Sequence, residues 1–338
     1  MRERNSSGPK DKMIKKLNVK NFKSLKELEI TCKRINVFIG EPNSGKSNIL
    51  ESLGFLSFLG GYAIELKNFV RMLQIIDLFY DLNIREKIFI ELDEKKIIAE
   101  YRNGNLFLNI SPSPKEKNIN LNLYPPFTHH KISPEVKEIF KNIKFFKFLF
   151  RENFPSQQAD FFLPSGENLL IVLETNPELR KIIGNILLNF NLILNLKRLE
   201  NRITLAKRIE ETIVSEVPYF LLSDTIQRLI YYISAVETNE NSVLILEEPE
   251  AHAFPYYTKY LAEIIAEDKK NQYFISTHNP YFLSSIIEKS KKEDVKILIT
   301  YIEKGQTKVK EFENDKIEHL LEYEFVDIFF NIDKLIQT

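Results

Sequence analysis

Two stretches of the sequence hold side chains whose types and spacing can do chemistry. The first is Gly40-Glu41-Pro42-Asn43-Ser44-Gly45-Lys46-Ser47, which fits G-x-x-x-x-G-K-[ST] at every fixed position. Glycines let a backbone wrap a phosphate with its N–H groups, and a helix starting at the end of the loop adds partial positive charge. Lys46 is then spaced to reach the outer phosphates, and the Ser47 hydroxyl to ligate magnesium. The flanks agree with this reading. Ile-Asn-Val-Phe-Ile ahead of the loop is a short apolar run of strand type, and SNILESLGFLSFL after it has helical spacing. A Gly-rich turn without function is the competing reading, and it leaves the strand and helix unexplained.

The second stretch is VLILEEPEAHAF, residues 243 to 254. Four apolar residues run straight into the adjacent carboxylates Glu247 and Glu248. Like charges raise each other's pKa, so the pair is costly unless a cation or a proton shares the site. Two acids that merely open a surface loop after a core strand are one reading. The other ties them to the first stretch, because a phosphate-binding loop needs magnesium (Mg2+) and an acid-tipped strand beside it can hold the ion. Glu247 would hold it through water, and Glu248 would orient or deprotonate an attacking water.

The order of the motifs resembles the ABC-type ATPase heads of the SMC, RecF and OLD group. VLILEEPEAHAFP resembles their Walker B strand and the loop after it. IKKLNVKNFKSLKELEI (residues 14 to 30) resembles their opening hairpin, and GKSNILESL their loop-to-helix step. YFISTHNPYFLSSI (residues 273 to 286) resembles the strand that ends in a switch histidine, here His278; by its residues alone, His278 also reads as a satisfied loop histidine. The resemblance covers roughly residues 13 to 60 and 217 to 300. It implies ATP and Mg2+ as ligands, with Gly40, Asn43, Ser44, Gly45, Lys46, Ser47 and Asn48 on the nucleotide. It also implies Ser47 and Glu247 on the metal, Glu248 and His278 as catalytic groups, and a homodimer that closes around ATP.

One motif departs from the pattern. In such heads a Ser-Gly-containing turn at a helix start binds the partner's ATP. The matching stretch is LLSDTIQRLIYYISAV, residues 221 to 236, where Ser223 and Asp224 fit but Thr225 stands in the place of the usual glycine. A β-branched residue resists positive φ and blocks close approach of a phosphate to the backbone. Ser223 either caps the helix or faces a phosphate of the partner. Phe254 is a second departure, at a position where many relatives carry histidine.

Composition bounds the rest. The chain has 338 residues, with 47 basic and 47 acidic side chains, so no global field draws it to nucleic acid or membrane. A lone cysteine, Cys32, allows no internal disulfide and suits a reducing compartment. No apolar run approaches the length of about 20 residues that spans a bilayer. A cytoplasmic protein without a membrane partner is expected.

The expected fold is α/β: an ABC-type P-loop head with a mixed central sheet, an antiparallel β lobe and an inserted helical arm. Residues 1–12 read as a tail, 13–110 as the first lobe, 111–216 as an inserted loop and helical arm, and 217–338 as the second lobe with a strand-and-helix cap. Asn103-Gly104 predicts a hairpin turn. Within the arm, residues 141 to 151 place Lys141, Lys144, Lys147 and Arg151 on one helical face, either a nucleic-acid track or a solvated surface. Residues 196 to 213 predict a short antiparallel arm or a solvated helix. His129-His130 lacks a third metal ligand nearby. The length excludes a long coiled coil, and the residues after Ile299 are too few for a Toprim nuclease domain. Two functions stand: an ATP-hydrolysing head coupled to DNA, of the repair or phage-defence kind, or a nucleotide-sensing scaffold that regulates a separate effector such as a nuclease or toxin. A metabolic kinase finds no substrate-phosphate site beyond the loop.

Overall fold

The computed structural model describes residues 13–112, 117–210 and 212–312, together with residues 329 and 336. The tail expected at residues 1–12, and the helical part of the cap beyond 312 apart from residues 329 and 336, lie outside these described residues. In chain order the strands are β1 (Lys16–Phe22), β2 (Leu25–Thr31), β3 (Ile35–Gly40), β4 (Ile88–Leu92), β5 (Lys95–Arg102), β6 (Asn105–Ser111), β7 (Ile119–Leu123) and β8 (Ile143–Phe146). They continue with β9 (Ile193–Lys197), β10 (Arg202–Arg208), β11 (Val214–Pro218), β12 (Val243–Glu247), β13 (Gln272–Ser276), β14 (Val295–Glu303) and β15 (Gln306–Phe312). The helices are α1 (Lys46–Leu59), α2 (Pro134–Phe140), α3 (Leu169–Thr175), α4 (Pro177–Leu188), α5 (Asp224–Thr238), α6 (Pro255–Glu267) and α7 (Pro280–Lys289).

A mixed sheet in the order β15-β14-β3-β13-β12-β8 forms the centre, parallel throughout except where β15 returns against β14. Its strands are covered on both faces, which is why they read as near-continuous apolar runs. Alternate residues divide between two cores. Val37 and Ile39 of β3 join Leu244, Leu246 and Ile275 in a core shared with α5, α6 and α7. Phe38 joins Ile245 and Phe274 in a second core, shared with α1 and the antiparallel sheet. That antiparallel sheet runs β2-β1-β4-β5-β6-β7. Its β5–β6 hairpin turns at Asn103-Gly104, both at positive φ, as the sequence predicts.

The stretch from 134 to 216 contains α2, α3 and α4, but also strands where helix was expected. Residues 143–146 form the edge strand β8, buried at all four positions. The three-to-four spacing of lysines there is coincidental. Lys144 is 4% exposed, so Lys141, Lys144, Lys147 and Arg151 share no helical face. Burial beside β12 selects the extended form over helical periodicity. Within residues 196–213 the described part likewise holds the end of β9 and all of β10, strands of the antiparallel sheet β11-β10-β9, rather than a helix or helical arm. Asn201, at φ 52, makes the turn between β9 and β10, a left-handed conformation that Asn tolerates. The loop expected at the start of the 111–216 segment holds one further strand, β7, paired with β6.

Candidate functional site: the phosphate loop and the acid-tipped strand

The loop between β3 and α1 sits at the C-terminal edge of the central sheet, where open α/β sheets bind ligands. Its turns require glycine. Gly45, the N-cap of α1, has φ 98, and a Cβ added there would lie 1.9 Å from Thr307 Oγ1. Gly40, at φ 151, is pressed against Thr300, whose carbonyl oxygen would lie 2.3 Å from an added Cβ. Thr300 and Thr307 belong to the β14–β15 hairpin, so that hairpin forms the back wall of the loop. Ser44 Oγ bonds Thr300 Oγ1 at 2.7 Å, and Ser24 Oγ bonds Thr307 Oγ1 at 2.6 Å and accepts from Asn48 Nδ2 at 2.6 Å. Asn43, at φ 62, is exposed at the loop tip. Ser47 is half-buried in the first turn of α1.

Lys46 Nζ folds back onto the loop and donates to the carbonyls of Gly40 and Glu41, each at 2.8 Å. Burial pulls its pKa down to about 8, against the attraction of Glu248 and Glu41. Strand β12 ends at the half-buried Glu247, and Glu248 follows at φ 44, its N–H donating to the Ser276 carbonyl at 3.0 Å. That bond joins the ends of β12 and β13. It brings Glu248 Oε1 to 3.3 Å from His278 Nε2. Burial first, and then Lys46, hold the His278 imidazole below its ordinary pKa, while Glu248 pulls the other way. Lys46, Glu248 and His278 therefore form one electrostatic group, assembled from three separate segments.

Several supporting residues carry no sequence motif. Glu51, 1% exposed on α1, pairs with Lys23 and with Arg71, and Arg71 reaches to 3.9 Å from Glu247. Glu250 is 5% exposed and accepts a bond from the Thr277 hydroxyl, and burial pushes its carboxyl up to about 7. Glu250 and Thr277 lie beside Glu248 and His278 within the same two runs, so their residue types add no separate signal. Nothing in the sequence pointed to Arg71, which reaches the site only through the path of the chain after α1.

At the start of α5, Ser223 is exposed and makes no side-chain cap bond, although it occupies the N-cap position. Asp224 instead pairs with Arg228 at 3.0 Å. Thr225 Oγ1 donates to the carbonyl of His252 at 2.6 Å. Phe254, the N-cap of α6, is 66% exposed. His129 and His130 share one short turn, with ring centroids 4.1 Å apart. No helix among the described residues is long and apolar enough to cross a membrane.

Comparisons with known proteins bear on the matched domain and on the fold. Residues 13–162 match the family described as AAA ATPase domain. Over 50 residues the chain is 42% identical to the DNA replication and repair protein RecF of Leptospira biflexa serovar Patoc, in two strains. That match spans 14% of this chain and 14% of the RecF chain. Among solved structures, an SmcHead bound to the C-winged helix domain of ScpA superposes with a TM-score of 0.56 at 17% identity, covering 90% of this chain and 99% of that one. A Smc head domain with an extended coiled coil, bound to the C-terminal domain of ScpA derived from Pyrococcus furiosus, gives a TM-score of 0.50 at 16% identity, covering 91% and 98%. Residues 13–162 thus match an AAA ATPase domain, and the chain as a whole has the fold of the SMC head domains.

Proposed function

We infer that the head binds ATP with Mg2+ on the loop from Gly40 to Asn48 and hydrolyses it with Glu248 as the general base. The observation that carries this reading is the contact of Glu248 with His278 at 3.3 Å, on the sheet edge that also presents Lys46. The donor set fits the metal. The Ser47 hydroxyl and the Glu247 carboxylate are hard oxygen ligands, and Mg2+ is commonly held by one or two such groups plus phosphate oxygens. When bound, the ion neutralises phosphate charge. The chain's own groups do the rest. Loop N–H groups and Lys46 bind phosphate oxygens, Glu248 takes the proton of the attacking water, and His278 holds the Glu248 carboxylate in place. Arg71 and Glu51 fix the direction of Glu247.

Two heads close face to face in this reading, with Ser223 and Asp224 of one copy presented to the ATP of the other. The exposed Ser223 hydroxyl, unused as a cap, supports that role. Coupling to DNA rests on the local similarity to RecF, since Lys141, Lys144, Lys147 and Arg151 share no basic face in the fold. The second reading, a nucleotide-sensing scaffold for a separate effector protein, is favoured by the engagement of Thr225 within its own chain.

Magnesium-dependent ATP hydrolysis, measured with and without double-stranded DNA at low and moderate salt, separates the two. DNA coupling predicts a stimulation that collapses steeply as salt rises. ATP binding with negligible turnover, indifferent to DNA, would overturn the hydrolytic reading and leave the scaffold.

A further inference from the structure

The turn after β12 holds the residues this site depends on, and it is strained. Glu248 has φ 44 and His252 has φ 61, each a left-handed conformation of a residue with a Cβ. Such residues persist only when their surroundings over-determine them. Inside the protein the turn is held by the Glu248 N–H on Ser276, by the Ala251 N–H on Glu248 O at 3.0 Å, by the Ala253 N–H on Glu250 O at 2.9 Å, and by the Glu250–Thr277 contact. At the outer end, the His252 peptide is held from elsewhere in the chain, by the Thr225 hydroxyl at 2.6 Å.

We propose that Thr225 is a latch within the chain, a positioning residue that fixes the strained Glu248–His252 turn and so sets the aim of Glu248. Three features suit it to this. Thr225 is the second residue of α5, and side chains in a helix lean back toward its N-terminus, here toward the turn. A β-branched side chain is stiff at χ1, so the hydroxyl is held ready. A glycine at this position, usual in the resembling heads, has no hydroxyl to offer. The departure from glycine therefore adds a contact within one head while narrowing the approach of a partner's phosphate. The start of α5 and the carboxylate turn become one mechanical unit, so that displacement of one moves the other.

The link to hydrolysis rests on the proposed function, whereas the latch itself does not, and the test keeps them apart. Backbone hydrogen exchange is followed in the nucleotide-free full chain for Thr225→Val, which keeps the shape and loses the donor, and for Thr225→Ser, which keeps the donor. Thr225→Val is expected to speed exchange of the Ala251 and Ala253 amides about tenfold, the size of one hydrogen bond, with Thr225→Ser within about twofold of wild type. Melting temperatures should stay close to wild type in both. A turn as protected in Thr225→Val as in wild type, or loosened equally by serine, overturns the latch. Single-turnover hydrolysis at saturating ATP should then fall about tenfold in Thr225→Val and recover in Thr225→Ser, with ATP affinity unchanged in both. A loosened turn with undiminished hydrolysis overturns the positioning role. Absence of hydrolysis in every protein, wild type included, defeats the catalytic reading, and the exchange result alone then decides the latch.

Discussion

The phosphate loop and the start of α5 are built in opposite ways. Around the loop, two glycines are packed against Thr300 and Thr307, Ser44 is 3% exposed, and Lys46 bonds two carbonyls of its own loop. At the start of α5, Ser223 is exposed with its hydroxyl unused as a cap, and Asp224 pairs with Arg228. One region is completed by the packing of a single chain. The other leaves the Ser223 hydroxyl exposed and unused, the group a second copy would meet if two heads close as proposed. In such a head, nucleotide affinity should reside in the first region and the response to a second copy in the second.

The largest expected effect breaks the first side of that comparison. Gly45→Ala puts a Cβ within 1.9 Å of Thr307 Oγ1 and 2.8 Å of its Cβ, at a φ of 98 that alanine resists, so Thr307 must shift to admit it. Strain and overpacking together should cost on the order of 3–5 kcal/mol, and ATP binding should fall at least a hundredfold. Calorimetric binding and thermal unfolding measure both. Wild-type affinity in this variant would mean that the loop is not held as described.

A smaller effect comes from Glu250, which belongs to neither side but supports the carboxylate turn. Its folded pKa, about 7, lies above the value of 4.5 expected without burial. Between those values the folded state holds a proton that the unfolded state releases, so stability is greatest below the window and falls as pH rises through it. The loss should reach on the order of 3 kcal/mol by slightly alkaline pH, and Glu250→Gln should remove most of that slope. Urea unfolding at pH 5 and pH 8, without nucleotide or metal, reads it directly. An equal slope in the variant would place the titration elsewhere.

The smallest effect lies at the exposed helix start. Ser223→Ala should change stability by less than about 0.5 kcal/mol, because the hydroxyl makes no cap bond to lose. ATP affinity at low protein concentration should also hold. The variant should differ from wild type only in how hydrolysis rises with protein concentration. A loss of affinity in dilute protein would move Ser223 to the first region and erase the contrast.

Legibility in the sequence followed how local the determinants are. Gly40 to Ser47, and the apolar runs into Glu247 and Ser276, declared themselves because loop, strand and helix lie within one short window. The Asn103-Gly104 hairpin was legible for the same reason. Lys144 and its neighbours misled because a buried edge strand can carry lysine when an aromatic ring and an amide receive it, here Phe161 at 3.6 Å to its centroid and Asn239 at 2.6 Å. Both partners are distant in sequence. The strands β9 to β11 were hidden by mixed charges that suit helix and exposed sheet alike, with Asn201 as their one turn signal. Arg71 and Thr307 were illegible for a deeper reason. Their importance lies wholly in what the fold brings beside them, Glu247 and Gly45.

The chemistry proposed for the site turns most directly on Glu248. ATP binding and single-turnover hydrolysis, measured together on wild type and Glu248→Gln with Mg2+, test it in one experiment. The amide keeps the shape of the side chain but cannot take a proton, so binding should be preserved or tightened while hydrolysis falls by a factor on the order of a hundred or more. Hydrolysis at the wild-type rate in Glu248→Gln, with ATP still bound on the loop, would contradict the assignment of the general base and of the site built around it.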